Sequence, residues 1–391
     1  MNRIRVGYVD HAVDVGGGAQ EMLLDILRYC DHEVIEPVLF VSGEAQWLRD
    51  IDLSEIECHE VFPAADELYD VSRDQAGQVS TMLRSAVHSI GPVRTLRHAF
   101  ATNDIEIVHT NTLKCHVLGG LAARLAGKPL VWDLRDILPP GRSRAILVQI
   151  ARLTHPHIAA MSSAVAETME RSGADTTVVP GARPMERYEP VEPDPQLRQQ
   201  LHLPADAHVV SIIARLSPWK GHRVLLRAFR QVIQQRPNAH LLVVGDPGFW
   251  EAQYEDDLKT LADQLGLADN VHWLGFREDI QKLLALTDVV VLPSENEPFG
   301  MVLVEAMAAE KPVIATRAAG PLEIVKDGET GLLVEIGDED ELAGAIERLV
   351  SDTELARKMG EAGRKRALEH FDISRLLKQL YDIYRQLHRE Q

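Results

Sequence analysis

Cysteine is scarce in this 391-residue sequence: Cys30, Cys58 and Cys115 lie far apart and form no CxxC pair. That excludes a disulfide framework and a zinc ribbon, and reduced thiols in a cytoplasmic compartment are expected. Basic charge is short as well. Against 59 Asp and Glu stand 41 Lys and Arg, a formal net charge of −18. Such a surface repels nucleic acid, whose phosphates require a basic footprint, and gives no global attraction to anionic lipid. Long apolar runs are missing too: none reaches the ~18 residues of a membrane span. No apolar stretch of signal-peptide length precedes the first strand-like run, Ile4–Val9. A soluble or peripheral protein is expected. There is no internal repeat and no low-complexity segment.

What is present is ordinary globular composition, 45% hydrophobic and 26% charged, over a length that suits two domains. Short apolar runs alternate with helical patterns. In the first half the strand-like runs are Ile4–Val9, Pro37–Val41, Ile105–His109, Leu130–Asp133, His157–Met161 and Thr176–Val179, with helical stretches such as Ala19–Cys30 and His116–Ala126. From Arg183 to Pro195 the chain turns proline-rich and acidic, which reads as an extended linker. The pattern then restarts with His208–Ala214, His240–Gly245, Val271–Gly275, Val289–Pro293 and Val313–Thr316, separated by helices. Alternation of this kind predicts an α/β protein of two doubly wound parallel-sheet domains facing a central cleft, with ligand beyond the carboxyl ends of the strands. The boundaries expected are 1–183, a linker at 184–196, 197–371, and a last helix at 372–391, where Leu376, Leu377, Leu380, Ile383 and Leu387 keep helical spacing.

Three segments carry candidate chemistry. The first, Asp14 to Gln20 with Gly16, Gly17 and Gly18, lies between a strand and a helix, where glycines let backbone approach a phosphate or sugar. It is neither a GxGxxG fingerprint nor a Walker A loop, and tight-turn glycines without ligand explain it equally. In the second, Arg215 and Lys220 bracket a turn that opens a helix. Two cations near a helix N-terminus suit a diphosphate, and the alternative is a surface turn with unrelated charges. The third runs from Ser294 to Met307. Pro298 suits a helix start, which leaves the amides of Phe299, Gly300, Met301 and Val302 to meet hydroxyls or phosphate oxygens. Glu297 precedes this helix and Glu305 lies about two turns into it. An idle Glu305 among Val302, Leu303, Val304, Ala306 and Met307 would be a costly charge, so two carboxylates facing one ligand is the favoured reading.

The Glu297–Glu305 segment resembles the EX7E motif of retaining glycosyltransferases of family 4, which have the GT-B fold of two Rossmann-like domains. The 14–18 loop, Arg215 with Lys220, Gly275-Phe276, and Lys311 to Ala315 stand in that family's order. The resemblance covers nearly the whole chain. It implies that Glu305 binds the donor ribose hydroxyls, that Glu297 and the amides of Phe299–Val302 hold the donor sugar, and that Arg215 and Lys220 bind the diphosphate. Gly16 and Gly17 would approach the donor from the first domain, backbone near Phe276 and Arg277 would read the base, and the last helix would cross back to the first domain. Where many members carry a histidine near the donor sugar, this chain has Asp133, which would accept from the sugar 6-hydroxyl or mark altered donor choice or a loss of catalysis. Val179-Pro180-Gly181 lacks the asparagine of the family's Pro-Asn-Gly turn.

The function expected is transfer of a hexose from a nucleoside-diphosphate sugar, UDP favoured and GDP the alternative, to an unknown sugar, lipid-linked or small-molecule acceptor. The setting would be glycan biosynthesis at a cytoplasmic location, with peripheral membrane contact allowed. Two rival readings are a GT-B nucleotide-sugar epimerase and a non-catalytic nucleotide-sugar-binding protein. His109, Asn111 and Arg135 are the candidate acceptor contacts, and the segment Pro63–Ser89, polar and irregular, would shape acceptor choice. Arg94, Arg97 and His98, like Arg142, Arg144 and Arg152, read as solvated helix faces or as a patch for acceptor or membrane. Metal and cofactor are not expected: Pro156 splays His155 from His157, and Asp338-Glu339-Asp340 reads as an acidic helix cap rather than a metal-binding DxD.

Overall fold

A computed structural model describes residues 3–12, 18–43, 45–48, 56–62, 79–247 and 251–390. The chain divides into two compact units, Met1–Gly181 with Ile373–Gln391, and Ala182–Asp372.

The first unit is built on a seven-stranded sheet of β1 (Ile4–Val9), β2 (Ile35–Ser42), β3 (Glu57–Phe62), β4 (Ile107–Thr110), β5 (Leu130–Leu134), β6 (His157–Ala160) and β7 (Thr176–Val178). Its order is β3-β2-β1-β4-β5-β6-β7, and every neighbouring pair is parallel. Covered on both faces, the central strands read as largely apolar runs; Val6, Tyr8, Phe40, Val108 and Trp132 are fully buried. The helix Ile373–Arg389 belongs to this unit and buries Ile373, Leu376, Leu377, Leu380, Ile383 and Tyr384, one stripe at three- and four-residue spacing.

A six-stranded parallel sheet forms the second unit: β8 (His208–Ile213), β9 (Ala239–Val244), β10 (Val271–Gly275), β11 (Val289–Leu292), β12 (Val313–Thr316) and β13 (Gly331–Val334), in the order β10-β9-β8-β11-β12-β13. Alternate residues of β9 serve opposite layers. Leu241 and Val243 join a core with Phe229, Leu258 and Ile346, while Leu242 and Val244 join another with Leu197, Leu283 and Leu286.

Two expectations change. The chain passes into the second unit after Gly181, so the proline-rich stretch at 184–196 is part of that unit rather than a free linker. Met185–Tyr188 forms a 3-10 turn with Met185 buried, and Pro195 opens the helix Pro195–Gln200 with Asp194 as its N-cap. Pro195 is a helix starter here because N1 needs no N–H. The segment Pro63–Ser89 is not irregular throughout, for the helix Val79–Thr102 takes in its end, carrying Pro92 internally; residues 63–78 lie outside the described residues.

Candidate active site

Within the second unit the strand order reverses between β8 and β11, which pair through Val210 with Val289 and Ser211 with Val290. The crevice beyond the carboxyl ends of two such strands is where open α/β sheets place ligands. From β8 the chain runs into Arg215–Gly221, and from β11 into Pro293–Gly300, so topology sets two of the sequence-predicted segments side by side. The turns touch: the Glu295 amide donates to the Trp219 carbonyl at 2.8 Å.

Gly221 sits at φ 77°, and a Cβ there would stand 2.0 Å from the Pro293 carbonyl oxygen. Gly221→Ala is expected to destabilise the protein by more than about 1 kcal/mol, read as a lowered urea midpoint; an unchanged midpoint would show that the turns separate easily. From the β12 side, the Gly320 amide donates to the Glu297 carbonyl at 3.0 Å, and a Cβ on Gly320 would meet the Phe299 Cα at 2.3 Å. The Glu297–Phe299 turn is thus fixed from two directions.

Both carboxylates are buried and each is paired with a cation. Glu297 Oε2 accepts from Lys220 Nζ at 2.6 Å, with Lys220 lying 4.1 Å over the Trp219 ring. Glu305 Oε1 accepts from Arg183 Nε at 2.8 Å. The second oxygen of each carboxylate has no hydrogen-bond partner among the described residues. A lysine ammonium carries three donors, so Lys220 retains capacity beyond Glu297. Arg215 is exposed and makes no ion pair or hydrogen bond with a described residue.

Ahead of the helix Met301–Ala308, the amides of Phe299, Gly300, Met301 and Val302 donate to no described group; Leu303 is the first whose amide is bonded, to the Gly300 carbonyl at 2.9 Å. Phe299 and Gly300 are buried, Met301 and Val302 half-buried. N–H groups at the positive end of a helix, two of them on buried residues, favour anionic or hydroxyl oxygens as partners.

The neighbouring His222, 2% exposed, has no hydrogen-bond partner on either ring nitrogen. Burial, and then the Lys220 charge, lower its pKa to about 4, while the nearby Ser217 backbone pulls weakly the other way without completing a hydrogen bond. It is neutral at physiological pH. Phe276 exposes its ring, but its amide already donates to Asp246 Oδ1 at 2.9 Å, and Arg277 is paired with Asp279 at 2.6 and 2.7 Å. The Phe276 amide is therefore not free to read a base.

In the first unit the residues expected to face the cleft lie in a buried hydrogen-bond network. His109 is fully buried between Tyr384, whose hydroxyl lies 2.8 Å from Nδ1, and Asp133, 3.4 Å from Nε2. Tyr8 meets the Tyr384 hydroxyl at 3.1 Å. Arg135 grips both Asp133 oxygens and donates through Nη1 to the Ala19 carbonyl at 2.6 Å. Asn111, 2% exposed, gives Nδ2 to Asp10 at 2.5 Å. His109, Asp133 and Arg135, read from the sequence as acceptor- or sugar-facing, are thus hydrogen-bonded to one another, while Asn111 Oδ1 is buried with no hydrogen-bond partner among the described residues. Gly16 and Gly17 lie outside the described residues.

Burial pushes the Asp133 carboxyl up, but the Arg135 charge and the hydrogen bonds from His109 and Arg135 outweigh it and hold it well below the usual carboxylate range. A lowered folded-state value stabilises the fold fully above the ordinary carboxylate range and is lost as pH falls through the lowered value. Asp133→Asn is expected to cost about 3–5 kcal/mol at pH 7, because it strands the buried Arg135. That gap to the wild type, measured by urea unfolding, should narrow below pH ~4. A gap that widens on acidification would contradict this.

The Asp338-Glu339-Asp340 run caps the helix Glu339–Ser351, with Asp338 accepting from the Glu341 amide at 2.9 Å. Among the described residues no group of three or more His, Cys, Asp or Glu is arranged to hold a metal ion. His157 instead bonds Thr177 at 3.0 Å. Sequence reading missed Arg183, a residue at the edge of the stretch read as linker.

Two parallel-sheet units, one carrying paired cations, carboxylates and a bare helix start at its switch point, define the class as a GT-B-fold protein. Residues 193–366 match the family model described as glycosyl transferases group 1. A putative glycosyltransferase, EpsD, of Bacillus subtilis is 32% identical over 307 residues, 74% of this chain and 79% of that one. The D-inositol 3-phosphate glycosyltransferase of Streptomyces avermitilis is 31% identical over 286 residues, 67% and 61% of the two chains. Among solved structures, Anabaena Alr3699/HepE in complex with UDP-glucose superposes with a TM-score of 0.82 at 28% identity, covering 98% of this chain and all of that one. The chain belongs to the group 1 glycosyl transferases.

Proposed function

We propose that this protein transfers a sugar from a UDP-sugar to a hydroxyl acceptor, with retained anomeric configuration and no metal ion. The observation that carries the donor site is the row of four amides, Phe299 to Val302, that donate to no described residue and lie between two cation-paired carboxylates at the β8/β11 switch point. The UDP and UDP-glucose complexes of the HepE relative support the choice of base.

In this reading Glu305 takes ribose hydroxyls, and Glu297 with the following amides takes the sugar. Arg215 and Lys220 stabilise the diphosphate as its charge grows, an electrostatic role that needs no enzyme nucleophile. The bond from the anomeric carbon to the diphosphate breaks as that to the acceptor oxygen forms, and the leaving diphosphate takes the acceptor proton. Asp133 is assigned to the architecture of the first unit.

The test is nucleotide release from UDP-, GDP- and ADP-sugars with and without sugar acceptors. Acceptor-dependent UDP release is expected, and it should survive EDTA. Free epimerised donor without acceptor would point to an isomerase, binding without release to a non-catalytic protein, and loss of activity in EDTA would contradict metal independence.

A further inference from the structure

Arg183 is a buried cation 122 positions from the carboxylate it holds. Its backbone is fixed independently of its side chain. The Arg183 amide donates to the Phe371 carbonyl at 3.0 Å, and Arg183 bridges to Asp372, so the last two residues of the second unit hold its backbone. Phe371 in turn packs edge-on against Phe299, whose amide is the first of the four, with ring centroids 5.7 Å apart.

The bond to Glu305 is made by Nε, the guanidinium nitrogen nearest the backbone, which leaves the side chain less freedom than a terminal nitrogen would. It takes Oε1 and leaves Oε2 with no hydrogen-bond partner among the described residues. Arg183 thereby fixes the rotation of the carboxylate and decides which oxygen is available.

We infer that Arg183 is a positioning residue for nucleotide recognition: it orients Glu305 so that Oε2 meets the ribose hydroxyls, and the preference for an intact ribose depends on it. The inference rests on the ribose role proposed for Glu305.

The experiment is calorimetric titration of UDP and of 2′,3′-dideoxy-UDP into the wild type, Arg183→Met, Arg183→Lys and Glu305→Gln, with urea midpoints measured for each. The ratio of the two affinities is the readout, because a merely structural role would weaken both ligands alike. Arg183→Met is expected to cut UDP affinity about tenfold, a charge-assisted hydrogen bond's worth, and to leave dideoxy-UDP affinity within about twofold. Arg183→Lys keeps the charge without the fixed Nε and should lose at least about threefold in the ratio; it is the deciding variant if the methionine variant does not fold.

Wild-type discrimination that vanishes in Glu305→Gln but persists in a folded arginine variant would overturn the role of Arg183 alone. A wild type that binds the two ligands equally, or neither, would overturn the ribose role of Glu305 and the inference with it.

Discussion

Glu305→Gln is expected to weaken UDP binding about 10- to 100-fold. The carboxylate is buried on the helix Met301–Ala308 among apolar neighbours, so hydroxyls that reach it bond to a charged acceptor with little competing water. Hydrogen bonds to charged groups contribute about 1.5–3 kcal/mol, and each 1.4 kcal/mol is about tenfold in affinity. Glutamine keeps an acceptor for Arg183, so the fold should survive. Alanine would strand a buried guanidinium and cost about 3–5 kcal/mol of stability in addition. Calorimetry with UDP on the folded glutamine variant checks this, and an unchanged affinity would remove Glu305 from the ribose.

The second large effect is expected at Glu297. Glu297→Gln should lower the transfer rate by about 100- to 1,000-fold, the range found when one preorganised electrostatic group is removed from a transition state. Affinity for UDP, which lacks the sugar, should stay within about threefold, since among the described residues Glu297 is bonded through its side chain to Lys220 alone, the residue proposed to hold the diphosphate. The pair is also coupled, so the Lys220→Met and Glu297→Gln losses should not add in the double variant. Equal losses in UDP affinity and transfer rate would move Glu297 from the sugar to the nucleotide.

Much of this site could be read from the sequence because its segments announce themselves locally. Arg215–Gly221 and Ser294–Glu305 each follow an apolar strand and open a helix, and charge placement there is conspicuous. Their adjacency was implied by the family resemblance and not by local pattern, because β8 pairs with β11 past the intervening β9 and β10. Arg183 was missed for the same reason: nothing near it in the chain names Glu305 as its partner. In the first unit it was a long-range partner that the sequence hid. Asp133 and His109 stand at strand ends, and nothing near them in the chain names Tyr384, which bonds His109 from a helix 275 positions on.

Edge and interrupted elements hid as well. β3 reads Glu57-Cys58-His59-Glu60-Val61-Phe62, too polar for an apolar run because it is an edge strand and half exposed. The helix Val79–Thr102 is masked by Gly91-Pro92 in its middle.

The central claim is that the four amides before the helix Met301–Ala308 are the donor's binding surface. Residue-resolved amide hydrogen exchange of the whole protein, with and without saturating UDP-glucose, tests it most directly. The account predicts that exchange at Phe299, Gly300, Met301 and Val302 slows on adding UDP-glucose, and slows less with UDP alone, which lacks the sugar. Saturable binding of UDP-glucose with unaltered exchange at these four amides would contradict it.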